Sequence, residues 1–243
     1  MNKKAPKKNE KLRELLIILA VLGGVTLILV SVMLIPSCKR YFREKDPAAH
    51  SGTYGEKDEV VFVDESTGIG YVRCPAGIGA NTLDYVYLKL GDSVKLYKID
   101  FEDPKMYISE AKNADFGSYV YRAENVEPLT LESFVPCAAT IHRNGFETGR
   151  FYAPELAEEN SSLEDGTKYI DAITSAFTGE SAELTGPITD ENTFEIRLLS
   201  REHQGLYYTV TFFTDENGVA YLEDSVTGKT VTAPDIIKIR MIG

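Results

Sequence analysis

Three patterns of hydrophobic and polar positions succeed one another along this chain. From Leu15 to Ile35 there is no alternation: LLIILAVLGGVTLILVSVMLI is twenty-one residues without a charge. As a helix this run would extend roughly 31 Å at about 1.5 Å per residue, close to the hydrocarbon thickness of a bilayer. It predicts one uncleaved membrane-spanning helix, a signal-anchor. A buried core helix rarely runs uncharged past about 14 residues. A cleaved secretory signal has an apolar region of about 7–15 residues and a small-residue cleavage site, and Ile35-Pro36-Ser37 is a poor one. A lipoprotein signal would place acylation at Cys38, but Pro36 departs from that pattern, and Lys39-Arg40-Tyr41-Phe42-Arg43 reads as a membrane-flanking anchor.

From Glu59 the period becomes two. Val60 to Val63, a turn at Asp64 to Gly68, and Ile69 to Arg73 predict a hairpin. Thr82 to Leu90, the Gly91-Asp92 turn, and Ser93 to Ile99 predict a second. Its alternation, with Val86, Leu88 and Leu90 on one face and Tyr85, Tyr87 and Lys89 on the other, marks an antiparallel sheet with one buried face. Lys105 to Ile108 and Ser118 to Arg122 are further strands, with Leu131 to Val135 and Ala138 to His142 weaker ones.

The third pattern is helical. Ser162 caps a segment with Asp165 three residues on, Tyr169, Ile170, Ile173, Ala176 and Phe177 form an apolar stripe, and Gly179 ends it. Thr193 to Leu199, Leu206 to Thr214 and Val219 to Glu223 follow as strands, the last two joined through Asn217-Gly218, a strong hairpin signal. Leu206 to Thr214 carries apolar residues on both faces and reads as a central strand. VFVDESTGIGYVRCP (Val61 to Pro75) and AYLEDSVTGKTVTAP (Ala220 to Pro234) echo each other. Duplication would explain the echo; the shared demands of hairpin turns explain it more simply.

The expected fold is a single N-terminal transmembrane helix followed by a β-rich α+β extracytoplasmic region of antiparallel hairpins with one main helix. It divides into a basic tail (1–14), the span (15–36), a juxtamembrane spacer (37–58), a β-rich hairpin region (59–128) and an α+β region (129–243, helix about 163–178).

Charge adds an orientation. Six basic residues precede the run and four follow it, which favours a cytoplasmic N-terminus and a C-terminal domain outside. Of the 26 Lys+Arg and 37 Asp+Glu, residues 1–46 hold ten and four, giving about +6 there and −17 beyond. The expected partners are the bilayer, through Leu15–Ile35, and anionic headgroups, through the basic tail. The acidic remainder argues against nucleic acid, which needs a positive field facing its phosphates.

Candidate chemistry is thin. His50, His142 and His203 stand in unrelated contexts, without metal-ligand spacing, and no GxSxG motif occurs. Gly77-Ile78-Gly79 lacks the rest of any dinucleotide or phosphate loop, Gly228-Lys229-Thr230 lacks the Gly five residues upstream and reads as a hairpin end, and Asp215 to Gly218 resembles a fragment of a calcium loop without its later Glu. No catalytic, cofactor-binding or metal residue is assigned, and no cofactor is expected. Outside the cytoplasm, Cys74 and Cys137 are a disulfide candidate; two buried thiols are the alternative. The expected function is a membrane-anchored extracytoplasmic interaction or accessory protein meeting a protein partner at the envelope. The alternatives are a hydrolase whose carboxylates converge only in the fold, and a small-ligand sensor.

Overall fold

A computed structural model describes residues 49–56, 59–110, 119–152 and 166–243, within a compact unit running from Ala49 to Gly243. The first eight strands are His50–Tyr54 (β1), Val60–Asp64 (β2), Gly70–Arg73 (β3), Ile78–Ala80 (β4), Thr82–Leu90 (β5), Val94–Ile99 (β6), Tyr107–Ser109 (β7) and Val120–Ala123 (β8). Seven of them close a barrel in the order β1-β2-β3-β8-β7-β6-β5. Every pairing is antiparallel except the closing one, where His50 and Ser51 lie parallel to Leu88 and Lys89. A barrel this narrow is filled by side chains, here Phe62, Tyr71, Leu88, Leu96, Ile108 and Tyr121.

The predicted second hairpin keeps its alternation: Leu88 and Leu90 are buried and Lys89 is exposed. Tyr87 breaks it, sitting at a register irregularity between Val86 and Leu88 and turning its ring into the barrel core.

The remaining elements are Leu131–Phe134 (α1), Pro136–Arg143 (β9), Phe146–Tyr152 (β10), Thr167–Ala176 (α2), Ile188–Ser200 (β11), Leu206–Asp215 (β12), Ala220–Asp224 (β13), Thr230–Thr232 (β14) and Asp235–Ile242 (α3). They build a seven-stranded sheet in the order β10-β9-β11-β12-β13-β14, with β4 added against the first residues of β12. The barrel and this sheet share one apolar core. Ile99, Tyr107 and Val120 of the barrel strands lie in the same cluster as Leu198, Tyr208, Val210 and Phe212. Gly79 in β4 lets the two backbones meet, because a Cβ there would stand 2.0 Å from the Tyr207 ring.

Several expectations are corrected. The α+β region behind a membrane helix is instead a closed barrel joined to a second sheet, with three short helices of four, ten and eight residues among the described residues. Among the described residues no helix is long and apolar enough to cross a membrane; a span needs about 20 apolar residues. Leu15–Ile35, Cys38 and the basic tail lie outside the described residues. The single-pass reading, with its cytoplasmic N-terminus and external domain, therefore finds no support in the fold.

The segment expected as spacer contains β1, whose HSGTY lacks the apolar alternation that marks a strand. Leu131 to Val135, expected as a strand, forms α1. The Thr130 hydroxyl accepts from the Ser133 amide at 3.1 Å, and the Ser133 hydroxyl accepts from the Thr130 amide at 2.9 Å, a reciprocal cap that fixes a helical turn. The main helix buries Tyr169, Ile170 and Ile173 as its stripe requires. Its N-cap position is Gly166, without a side-chain cap, and Ser162 and Asp165 lie outside the described residues. α2 packs chiefly on β9, β10 and α3, so the cover expected over the central strand β12 lies farther along the sheet.

Candidate functional site

Three hairpin turns carry the buried aspartates, and each is built the same way. Asp64, Asp215 and Asp224 end β2, β12 and β13, and each turns its carboxylate back onto amides of its own turn. Asp64 Oδ1 accepts from the Ser66 amide at 2.9 Å, Asp215 Oδ1 from Asn217 at 3.0 Å and Val219 at 2.9 Å, and Asp224 Oδ1 from Val226 at 2.9 Å. A tyrosine hydroxyl completes each site: Tyr87 on Asp64 at 3.1 Å, Tyr221 on Asp215 at 3.2 Å and Tyr208 on Asp224 at 2.8 Å.

Gly68 and Gly228 both take φ of 73° and donate to the carbonyls of Asp64 and Asp224 at 2.7 Å. The sequence echo is thus one turn geometry used in two sheets. Amides and hydroxyls pointing at a carboxylate stabilise its charged form. The resemblance of Asp215 to Gly218 to a calcium loop has this origin: its carboxylate already holds its own turn.

Asp64 has the richest surroundings. His50 Nδ1 lies 2.7 Å from Oδ2, Ser66 Oγ donates to Oδ1 at 2.7 Å, and the same Ser66 Oγ is 2.9 Å from His50 Nδ1. Burial acts to raise the Asp64 carboxyl, but the hydrogen bonds from His50 and Ser66 overcome it and hold it well below the usual carboxylate range. The residue types are those of a nucleophilic triad; the wiring is not. A triad needs the carboxylate on one imidazole nitrogen and the hydroxyl on the other. Here both meet Nδ1, and the Ser66 proton points at Asp64. The cluster ties β1 to β2 and does not activate the serine.

His203 and Glu102 meet where the barrel joins the sheet. Glu102 follows β6 and accepts from the Gly205 amide at 3.3 Å; His203 precedes β12, with its ring stacked 5.9 Å from Phe134. Burial pushes the Glu102 carboxyl up, against the opposing pull of the Gly205 amide and His203. His203 Nδ1 is 3.7 Å from Glu102 Oε2, beyond hydrogen-bond reach, and is buried without a partner. His142 lies apart on β9, its Nε2 2.9 Å from Thr140 Oγ1. The three histidines are not brought together, and among the described residues no group of three His, Cys, Asp or Glu side chains could hold a metal ion.

Cys74 is buried and Cys137 half-buried, and in the structure both are free thiols. Cys74 lies in the apolar core; burial pushes its thiol up to about 11, with Arg122 opposing. A thiol so far from its thiolate is unreactive. Gly77-Ile78-Gly79 enters β4, where the Gly77 carbonyl accepts from the Thr209 amide at 2.8 Å. Lys229, in the Gly228-Lys229-Thr230 triplet, donates to the Phe177 and Gly179 carbonyls at 2.7 and 2.8 Å and so caps the end of α2.

Two of the concavities among the described residues are open on the surface. One, of about 470 Å³, is lined in part by Tyr54, Glu56 and Glu124. Both of its carboxylates are exposed, without the apolar enclosure that turns such a group into a general acid. The other, of about 720 Å³, runs beside α3. Tyr169, Phe194, Ile236 and Met241 form its apolar part, with Arg143 and Arg240 on its walls. Ile239 on α3 is 69% exposed and Ile242 39%. Nothing in the sequence motifs pointed here, because the groove is assembled from β9, β11, α2 and α3. The one available signal was the apolar run Ile236-Ile237…Ile239…Met241-Ile242, too short to read as a surface without its fold.

Comparison of the chain with family models, with curated proteins and with solved structures gives no match.

Proposed function

We propose that residues 49–243 form a non-catalytic interaction module whose partner seats in the groove beside α3. The observation that carries this reading is the helix itself. α3 spreads its apolar residues over more than one face: Ile237 is fully buried while Ile239 and Ile242 face solvent next to an apolar floor. An exposed apolar patch beside a groove marks an interaction site. The groups with chemical potential support the reading from the other side. Asp64, Asp215 and Asp224 hold their own turns, Ser66 gives its proton to Asp64, and Cys74 is protonated in the core.

The test is site-specific photo-crosslinking in native cells. A crosslinker at Ile239 should give one discrete adduct, lost on Ile242→Asp, whereas one at Phe101, exposed after barrel strand β6 and outside the groove, should give none. Adducts of equal strength at both positions, or none at Ile239, would count against the groove.

A further inference from the structure

The geometry points to a partner of definite chemistry: an extended acidic peptide that sets an apolar side chain into the groove and carboxylates against Arg143 and Arg240. This inference rests on the interaction reading above and adds the partner's charge. Its basis is an inversion of charge. The chain beyond residue 46 carries about −17, yet among the described residues no Asp or Glu side chain lines this groove and its two charged side chains are both arginines.

Neither guanidinium is committed to a carboxylate among the described residues. Arg143 donates to the Glu191 backbone carbonyl and lies 5.3 Å from the Phe194 ring centroid. Arg240 lies 5.8 Å from that of Phe151. A guanidinium resting over a ring is held in orientation while its edge stays available, the geometry that suits a bidentate carboxylate.

The floor supplies the second half of the recognition. Phe194 and Tyr169 are buried at its base, and Ile239 and Ile242 stand at its rim. A small ligand would need walls enclosing most of its surface; this groove is open along α3, which suits a chain passing through it. A basic or a purely polar peptide would lose one of the two complementarities. An acidic apolar one keeps both, and the net negative charge of the rest of the chain disfavours its binding elsewhere. The surrounding charge thereby favours one register.

The experiment uses the full-length chain and three fluorescein-labelled peptides of equal length, followed by fluorescence anisotropy. One alternates Glu with Leu and Phe, the second replaces each Glu by Lys, and the third replaces each Leu and Phe by Ser. The first should bind about tenfold or more tighter than either control, a difference of about one decade in Kd. Arg143→Ala and Arg240→Ala should each weaken it about fivefold, and rising salt should weaken it further, as expected when guanidinium–carboxylate contacts carry the recognition. Both arginines are exposed, so thermal melting of the variants should match the parent. Equal binding of the three peptides, or arginine variants that bind as the parent does, would overturn the acidic-partner inference. Crosslinking at Ile239 tests the groove with the partner it meets in cells. An adduct that persists while the peptides fail leaves the interaction reading standing without its charge rule.

Discussion

Asp64 shows how much a single buried carboxylate can hold in this protein. It receives His50, Tyr87 and two groups of Ser66, and those bonds exist in full strength only for the charged form. A carboxyl whose folded pKa lies below its unfolded value stabilises the fold above the unfolded value. That contribution is lost as pH falls through the usual carboxylate range toward the lower folded one. Asp64→Asn should therefore cost about 1–3 kcal/mol at neutral pH, the range for a buried group deprived of its partners. The gap to the parent should narrow below about pH 4, where the unfolded parent begins to take up a proton. Urea unfolding from pH 7 down to pH 3 measures it; a gap that stays constant would mean the charge of Asp64 contributes nothing. Position was legible in the sequence for this residue, as the start of a hairpin turn. Its partners were not: Tyr87 comes from β5 and His50 from a strand that carries no strand signature.

At the scale of elements, β1 decides the architecture. It lies antiparallel to β2 through Gly52, Thr53 and Tyr54 and parallel to β5 through His50 and Ser51, so it removes the two open edges the barrel would otherwise have. Two fragments test this, one beginning at Ala49 and one at Glu56. Ladder hydrogen bonds contribute on the order of 1 kcal/mol each, so the shorter fragment should lose about 3 kcal/mol or more. Its amides in β2 and β5 should also exchange faster. Equal melting of the two fragments would show that β1 is dispensable and the barrel is open in solution. The α1 turn teaches the same lesson at smaller size. Leu131 to Val135 looked like a short strand because a run of five residues has no period to read, and the Thr130–Ser133 cap then settled the matter locally.

For the whole unit, the shared core predicts cooperative unfolding. Ile99, Tyr107 and Val120 of the barrel and Phe212 of the sheet belong to one buried cluster, and β4 carries the chain from the barrel onto β12. Phe212 is fully buried at the centre of β12, between β11 and β13, and removing its ring should cost about 3–5 kcal/mol. The loss should be felt in both sheets. Phe212→Ala should lower the midpoint of one common transition in near-ultraviolet circular dichroism, which reads tyrosines here because the chain has no tryptophan. It should also reduce hydrogen-exchange protection at Leu88 and Leu96 inside the barrel. Unchanged protection there would separate the barrel from the sheet as independent units.

What the sequence determined by itself is whatever a few neighbouring residues can fix. Period-two alternation placed β5 and β6, short apolar runs bounded by turns placed β2, β12 and β13, the apolar stripe placed α2, and Asp-x-x-Thr-Gly and Asn-Gly placed the turns, because side-chain period and backbone handedness are local properties. Other features depended on residues far apart in the chain. Closure through the polar β1, insertion of β4 beside β12, and the assembly of the α3 groove could be decided only in the fold. Arg143 and Arg240 lie almost a hundred positions apart and line the same groove. Nothing in the local pattern around either one specifies that meeting, because it follows from the packing of the sheet and helices between them.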